Sequence, residues 1–238
     1  MGDIPRPLLT NRFTEAIDFA LVAHCAQVRK GTRIPYLSHL LAVASLVIEH
    51  DGDEDAAIAA VLHDAPEDQG GQAMVEQIRA RFGAGVADIV VACTDTFESP
   101  KPAWPPRKTK YVEHLAAGAS TEACIVSAAD KLHNARAILH DLRGSDDHAA
   151  FWKRFGSSPT QIGWYYGRLE RALDGRLVAH DEGAHLEDRR IGDHDVAFDG
   201  RRAVPGEVLE VRGVVESLGD REVRQQRLAG CQPPRDRE

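Results

Sequence analysis

The chain has 238 residues, 43% of them hydrophobic and 28% charged, which suits one soluble domain with a sizeable core and an appendage. A formal net charge of −8 argues against a general DNA- or RNA-binding surface, since such surfaces are usually basic, but leaves room for a local cationic pocket that takes a small anion. No run approaches the roughly 18 continuous apolar residues of a membrane span, MGDIPRPLLTNRF lacks the apolar core of a signal peptide, and Arg6 stands where a myristoylation signal needs Ser or Thr, so a cytoplasmic protein without membrane contact is expected.

Phe13, Ile17, Ala20, Leu21 and His24 recur at helical spacing and predict a first helix over about 12–29. Gly31 and Pro35 end it in the turn RKGTRIP. Leu40, Val43, Ala44 and Val47 share one face of a second helix over about 38–50. The acidic stretch DGDED then suits the positive end of a third helix. That helix, AAIAAVLHDA, is apolar almost all round until His63-Asp64, which marks it as central and buried. Pro66 removes a backbone bond to Leu62, so the helix should end or kink at the His-Asp pair. Helices follow over 72–82 and 85–95. TFESPKPAWPPRK, with four prolines, reads as a loop and a candidate substrate flap. Further helices are predicted over about 108–117, 121–142 and 161–173.

Residues 12–175 therefore read as a compact all-α bundle. Beyond Gly175 the chain turns rich in Arg, Asp, Glu and Gly, and 176–238 reads as a weakly ordered polar tail. The short run EVLEVRGVVESL within it suits a strand or a short helix. Cys25, Cys93 and Cys124 lie among apolar neighbours and read as buried free thiols, and with Cys231 they form no C-x-x-C pair.

Polar residues set inside apolar helices carry the functional signal, because burying them without partners costs several kcal/mol. His39 opens the second helix, His63 and Asp64 follow AAIAAVL, and Asp130 follows IVSAA. A divalent cation between them would compensate the buried imidazoles and carboxylates, and mixed nitrogen and oxygen ligands suit Mn²⁺, Fe²⁺ or Zn²⁺ better than Ca²⁺ or Mg²⁺. Taken singly, each of these residues also has a purely structural reading; the ordered set is what points to a metal. Glu67 and Asp68, just beyond the pair, could orient and deprotonate water at such a site. A solvated acidic loop is the alternative.

AHCAQVRKGTRIPYLSHLLAVA, AAVLHDAPEDQGG, RFGAGVADIVVACTD and SAADKLHNARAI resemble the hydrolase domain of RelA/SpoT proteins, nearest to the stand-alone small alarmone hydrolases of the HD superfamily. The resemblance covers roughly 12–174. It implies one Mn²⁺ on His39, His63, Asp64 and Asp130, with Glu67 and Asp68 flanking the attacking water. It also implies removal of the 3′-pyrophosphate from guanosine tetra- or pentaphosphate. Arg29, Lys30, Tyr36 and Asn134 match residues that meet the nucleotide in that family. Tyr165 matches a later pocket aromatic, with Tyr166 close behind. Arg29 and Lys30 also read as a basic helix C-terminus favoured by the helix dipole, and the two readings are compatible. The loop from Thr96 to Lys110 departs from the family, leaving Arg107, Lys108 and Lys110 to face either phosphate or solvent, and the synthetase domain of the long relatives is missing. Two other readings stay open: an HD phosphohydrolase of another nucleotide, such as an adenosine analogue, a 5′-phosphate or a phosphodiester, and a non-catalytic antitoxin or regulatory module. Guanine or adenine preference, homo-oligomer formation and the role of 176–238 are not fixed by the sequence.

Overall fold

A computed structural model describes residues 9–188, with side chains described as far as 173. The elements are α1 (Asn11–Ala23), α2 (Leu37–Glu49), α3 (Glu54–Leu62), α4 (Ala65–Gln69), α5 (Gly71–Phe82), α6 (Ala84–Cys93), α7 (Trp104–Gly118), α8 (Thr121–Arg143), α9 (His148–Trp152) and α10 (Pro159–Asp188). The only β pairing among the described residues is an isolated antiparallel bridge between Val28 and Pro35. The all-α expectation holds. Among these residues no helix is long and apolar enough to cross a membrane.

Helix α3 is the axis of the bundle. Every residue from Ala56 to Leu62 is buried, as expected of a helix with no polar face. Asp53 caps it by accepting from the Ala56 N–H at 2.8 Å, and Glu54 and Asp55 add negative charge to its first turn. Helices α1, α2, α6 and α8 pack around it, and α10 closes over α7 and α8. The helix stops at the expected place. His63 and Asp64 form a break, and Pro66 sits in the first turn of α4, where the missing N–H has no helical acceptor to lose.

Several expectations need correction. Helix α1 ends at Ala23, not 29, because the backbone beyond His24 bonds across a turn: Arg29 N–H donates to Ile34 O at 2.8 Å and Tyr36 N–H to Gln27 O at 3.0 Å. Arg29 and Lys30 therefore stand on this turn and are not a helix C-terminus. Cys25 follows the shortened helix into the turn and is exposed, whereas Cys93 and Cys124 are buried. Helix α7 begins at Trp104, taking Pro105 and Pro106 into its first turn. Helix α9 was not foreseen, and α10 runs past 175 to Asp188. Cys231, EVLEVRGVVESL and the rest of 189–238 lie outside the described residues.

The α2–α3 connection is tight. Gly52 is buried, and a Cβ there would lie 2.8 Å from Val47 O and collide with the Val47 side chain. Gly52→Ala should destabilise the protein by about 1–3 kcal/mol, the usual range for overpacking. Urea unfolding of both proteins measures it, and an unchanged midpoint would contradict the packing described.

Candidate active site

Two helices and a break bring the expected metal ligands together. Helix α2 delivers His39 on its buried face, the break after α3 delivers His63 and Asp64, and the middle of α8 delivers Asp130. His39, His63 and Asp130 offer ligand atoms that all lie within 4.8 Å of one another. His39 Nε2 is 3.2 Å from Asp130 Oδ1 and 3.5 Å from Asp64 Oδ2. His63 Nε2 is 3.0 Å from Asp64 Oδ2 and 3.7 Å from Asp130 Oδ1.

These residues fit a divalent ion. Both Nε2 atoms are buried and neither is aligned for a hydrogen bond within the protein. Ligand atoms about 3–3.5 Å apart can share a centre roughly 2.1 Å from each. The opposite ring nitrogens are already committed. His63 Nδ1 lies 2.8 Å from Ala60 O, a pure acceptor, so Nδ1 carries a hydrogen. His39 Nδ1 lies 2.8 Å from His133 Nδ1. Burial and the neighbouring His39 hold His133 down at a pKa of about 4. His133 is thus neutral and can accept from His39 Nδ1–H, which turns His39 Nε2 towards the carboxylates.

Charge is balanced locally. Burial pushes the His63 pKa down, but Asp64 and Asp130 outweigh it and hold it well above the ordinary value. Burial raises Asp64 and Asp130, yet His63 keeps the first ionised and Lys131 the second. Lys131 forms an ion pair with Asp130 Oδ2. Tyr36, expected to meet the nucleotide, donates its hydroxyl to Asp64 Oδ2 at 2.6 Å, so it fixes that carboxylate in place.

Asn134 donates to Asp130 Oδ1 at 2.5 Å and accepts from Arg29 Nη1 at 3.1 Å. Arg29 is thereby tied to the edge of the cluster. Lys30 is exposed on the same turn. That turn is buttressed from behind: Gly31 has φ +74°, and a Cβ there would lie 2.7 Å from Arg154 Cδ. Glu67 and Asp68 follow on α4, Glu67 half-buried and Asp68 exposed. Gln27 Nε2 donates to Asp68 Oδ2 at 2.8 Å, and Lys101 Nζ donates to Glu67 Oε1 at 2.8 Å. Tyr165 is buried, its hydroxyl without a hydrogen-bond partner and its ring 5.1 Å from Lys108 Nζ. Tyr166 is buried beside it. Arg107 and Lys108 both pair with Asp95, whose side chain is buried. Asp95, Arg107 and Lys110 line a neighbouring cavity of about 470 Å³.

His133, Lys131, Gln27 and Lys101 were not assigned from the sequence. His133 and Asn134 lie three and four residues after Asp130, on its face of the helix. That spacing was a signal available for His133. The contacts of Gln27 and Lys101 join segments 34 or more residues apart and left no local trace.

The HD domain family model matches residues 16–150. A guanosine-3′,5′-bis(diphosphate) 3′-pyrophosphohydrolase of Xenopus tropicalis is 39% identical over 125 residues, covering 51% of this chain and 66% of that protein. The protein of the same description from Danio rerio is 37% identical over 126 residues, with the same shares. The chain thus spans 66% of the length of these curated relatives. A solved structure, described as a metazoan ortholog of SpoT that hydrolyzes ppGpp, matches with TM-score 0.56 and 24% identity. It covers 78% of this chain and 98% of its own. That likeness is one of fold.

Asp130→Ala should abolish stoichiometric binding of a divalent ion, and His133→Ala should weaken it by about 10–100-fold through loss of the hydrogen bond that orients His39. Calorimetric titration with Mn²⁺ measures both, and full retention by Asp130→Ala would remove that residue from the ligand set. The ion must displace the proton that His63 holds below its raised pKa. Affinity should therefore fall about tenfold per pH unit on the acid side of that value and level off above it. The same titration across pH would show a flat profile if His63 were not a ligand.

Proposed function

Because the chain belongs to the HD domain family, we propose that it is a Mn²⁺-dependent pyrophosphohydrolase that removes the 3′-pyrophosphate of guanosine tetra- or pentaphosphate. The observation that carries this reading is the pair of orphaned, buried imidazole nitrogens facing Asp64 and Asp130, with two carboxylates one turn away. The curated relatives carry that activity in their descriptions, which supports the choice of substrate class.

In this reading His39, His63, Asp64 and Asp130 hold the ion, which when bound supplies a Lewis acid that makes water more acidic and draws charge from a phosphoryl oxygen. Glu67 and Asp68 orient the attacking water and take one of its protons. The water oxygen bonds to the phosphorus next to ribose O3′, the bond from phosphorus to O3′ breaks, and O3′ gains a proton to become the hydroxyl. Pyrophosphate and GDP or GTP leave. Burial and the nearby Asp64 raise the pKa of Asp68 while the bond from Gln27 works against them, moving this carboxylate towards a proton acceptor's range. Arg29 and Lys30 supply positive charge for the pyrophosphoryl oxygens, with Arg29 aimed by Asn134. Tyr36 steadies Asp64, and Tyr165 closes the pocket on the α10 side.

Incubation with Mn²⁺ and a panel of nucleotides should release pyrophosphate from 3′-pyrophosphorylated guanosine nucleotides. Release of orthophosphate alone would contradict the reading. Glu67→Ala and Asp68→Ala should each lower kcat by about 10²–10⁴-fold, with the fold and Mn²⁺ binding largely retained. Unchanged kcat in both would remove the two carboxylates from the chemistry.

A further inference from the structure

The cations in and just after the segment joining α6 to α7 differ in what holds them. Arg107 and Lys108 both turn to Asp95, whose side chain is only 4% exposed, with Lys108 Nζ 2.7 Å from Oδ2. Drawing either away would break an ion pair with a largely desolvated carboxylate. Lys101 stands between Pro100 and Pro102 and turns towards α4. Its Nζ lies 2.8 Å from Glu67 Oε1 and 3.8 Å from Asp68 Oδ1, and its side chain is 45% exposed. An ion pair as open as this is weak and easily exchanged.

Its partners are the two carboxylates assigned to the attacking water. An ammonium clamped on Glu67 Oε1 occupies the oxygen that would meet the water, so this contact and turnover oppose one another until something draws the lysine away. A pyrophosphoryl group bound at the adjacent cluster would do so, because it presents more negative charge and more acceptor oxygens than one carboxylate. Little backbone movement is needed. Asp95 pins the start of the segment, and the flexible four-carbon stem of lysine can swing alone.

We propose that Lys101 is a pyrophosphate-binding residue that leaves Glu67 for the substrate's pyrophosphoryl oxygens when the nucleotide enters. The exchange frees Glu67 at the moment a substrate is present. It also gives the product pyrophosphate a residue to hold it, distinct from the metal ligands. The proposal rests on the reading of the site as a pyrophosphohydrolase.

The test uses the full Mn²⁺-loaded chain, with Lys101→Ala and Lys101→Arg beside the parent. Calorimetry measures binding of inorganic pyrophosphate, and steady-state kinetics on a 3′-pyrophosphorylated guanosine nucleotide measure KM and kcat. In Lys101→Ala, pyrophosphate affinity should fall by about tenfold or more and KM rise in parallel, with kcat within about threefold. Lys101→Arg should restore both, since it keeps the charge. Unchanged pyrophosphate affinity and KM in Lys101→Ala would overturn the proposal while leaving the activity standing. So would a higher kcat in that variant, which would make Lys101 a brake alone. If the parent releases no pyrophosphate from any nucleotide, the functional reading fails, and the calorimetric comparison still decides whether Lys101 binds pyrophosphate.

Discussion

The structure depends on keeping two imidazoles and two carboxylates together inside an apolar bundle. His39 and His63 are at most 2% exposed, and neither Nε2 atom has a hydrogen-bond partner. An arrangement of this kind costs several kcal/mol unless opposite charge is close by. Every contact around the cluster serves that need. Ala60 O and His133 fix the far side of each ring, Lys131 offsets Asp130, and Tyr36 and Asn134 occupy carboxylate lone pairs.

Burial, which makes the cluster costly, also makes it useful. An ion held there would be shielded from bulk water, and its influence on a phosphoryl group would be less screened than at the surface. The carboxylates of α4 stand further out, part-exposed, where water and nucleotide can reach them. The site is graded from a dry interior that can hold charge to a wet rim that exchanges protons.

Much of this was legible in the sequence, for one reason: a polar residue in an apolar helix stands out against its neighbours. His39, His63-Asp64 and Asp130 could be found that way, and Pro66 marked the break that lets the pair face one point. The supporting residues were harder to see. Gln27 sits in a segment whose apolar spacing mimics a helix, yet whose backbone bonds run across a turn. Lys101 looked like one more charge in a proline-rich loop. Their partners are distant in the chain, so local pattern carries no record of them. The prolines at 105 and 106 misled in the opposite direction, since the first turn of a helix accepts them as readily as a loop does.

The turn between α1 and α2 makes three separate attachments to the site. Gln27 reaches Asp68, Arg29 reaches Asn134, and Tyr36 reaches Asp64, across a span of ten residues closed by the Val28–Pro35 bridge. Each attachment goes to a different helix or break, so the turn works as a template against which the pieces of the site are gauged. Surface turns ordinarily tolerate changes of length. Here one added or deleted residue would shift all three side chains at once, and the length of this turn is as tightly constrained as the identity of any residue in it.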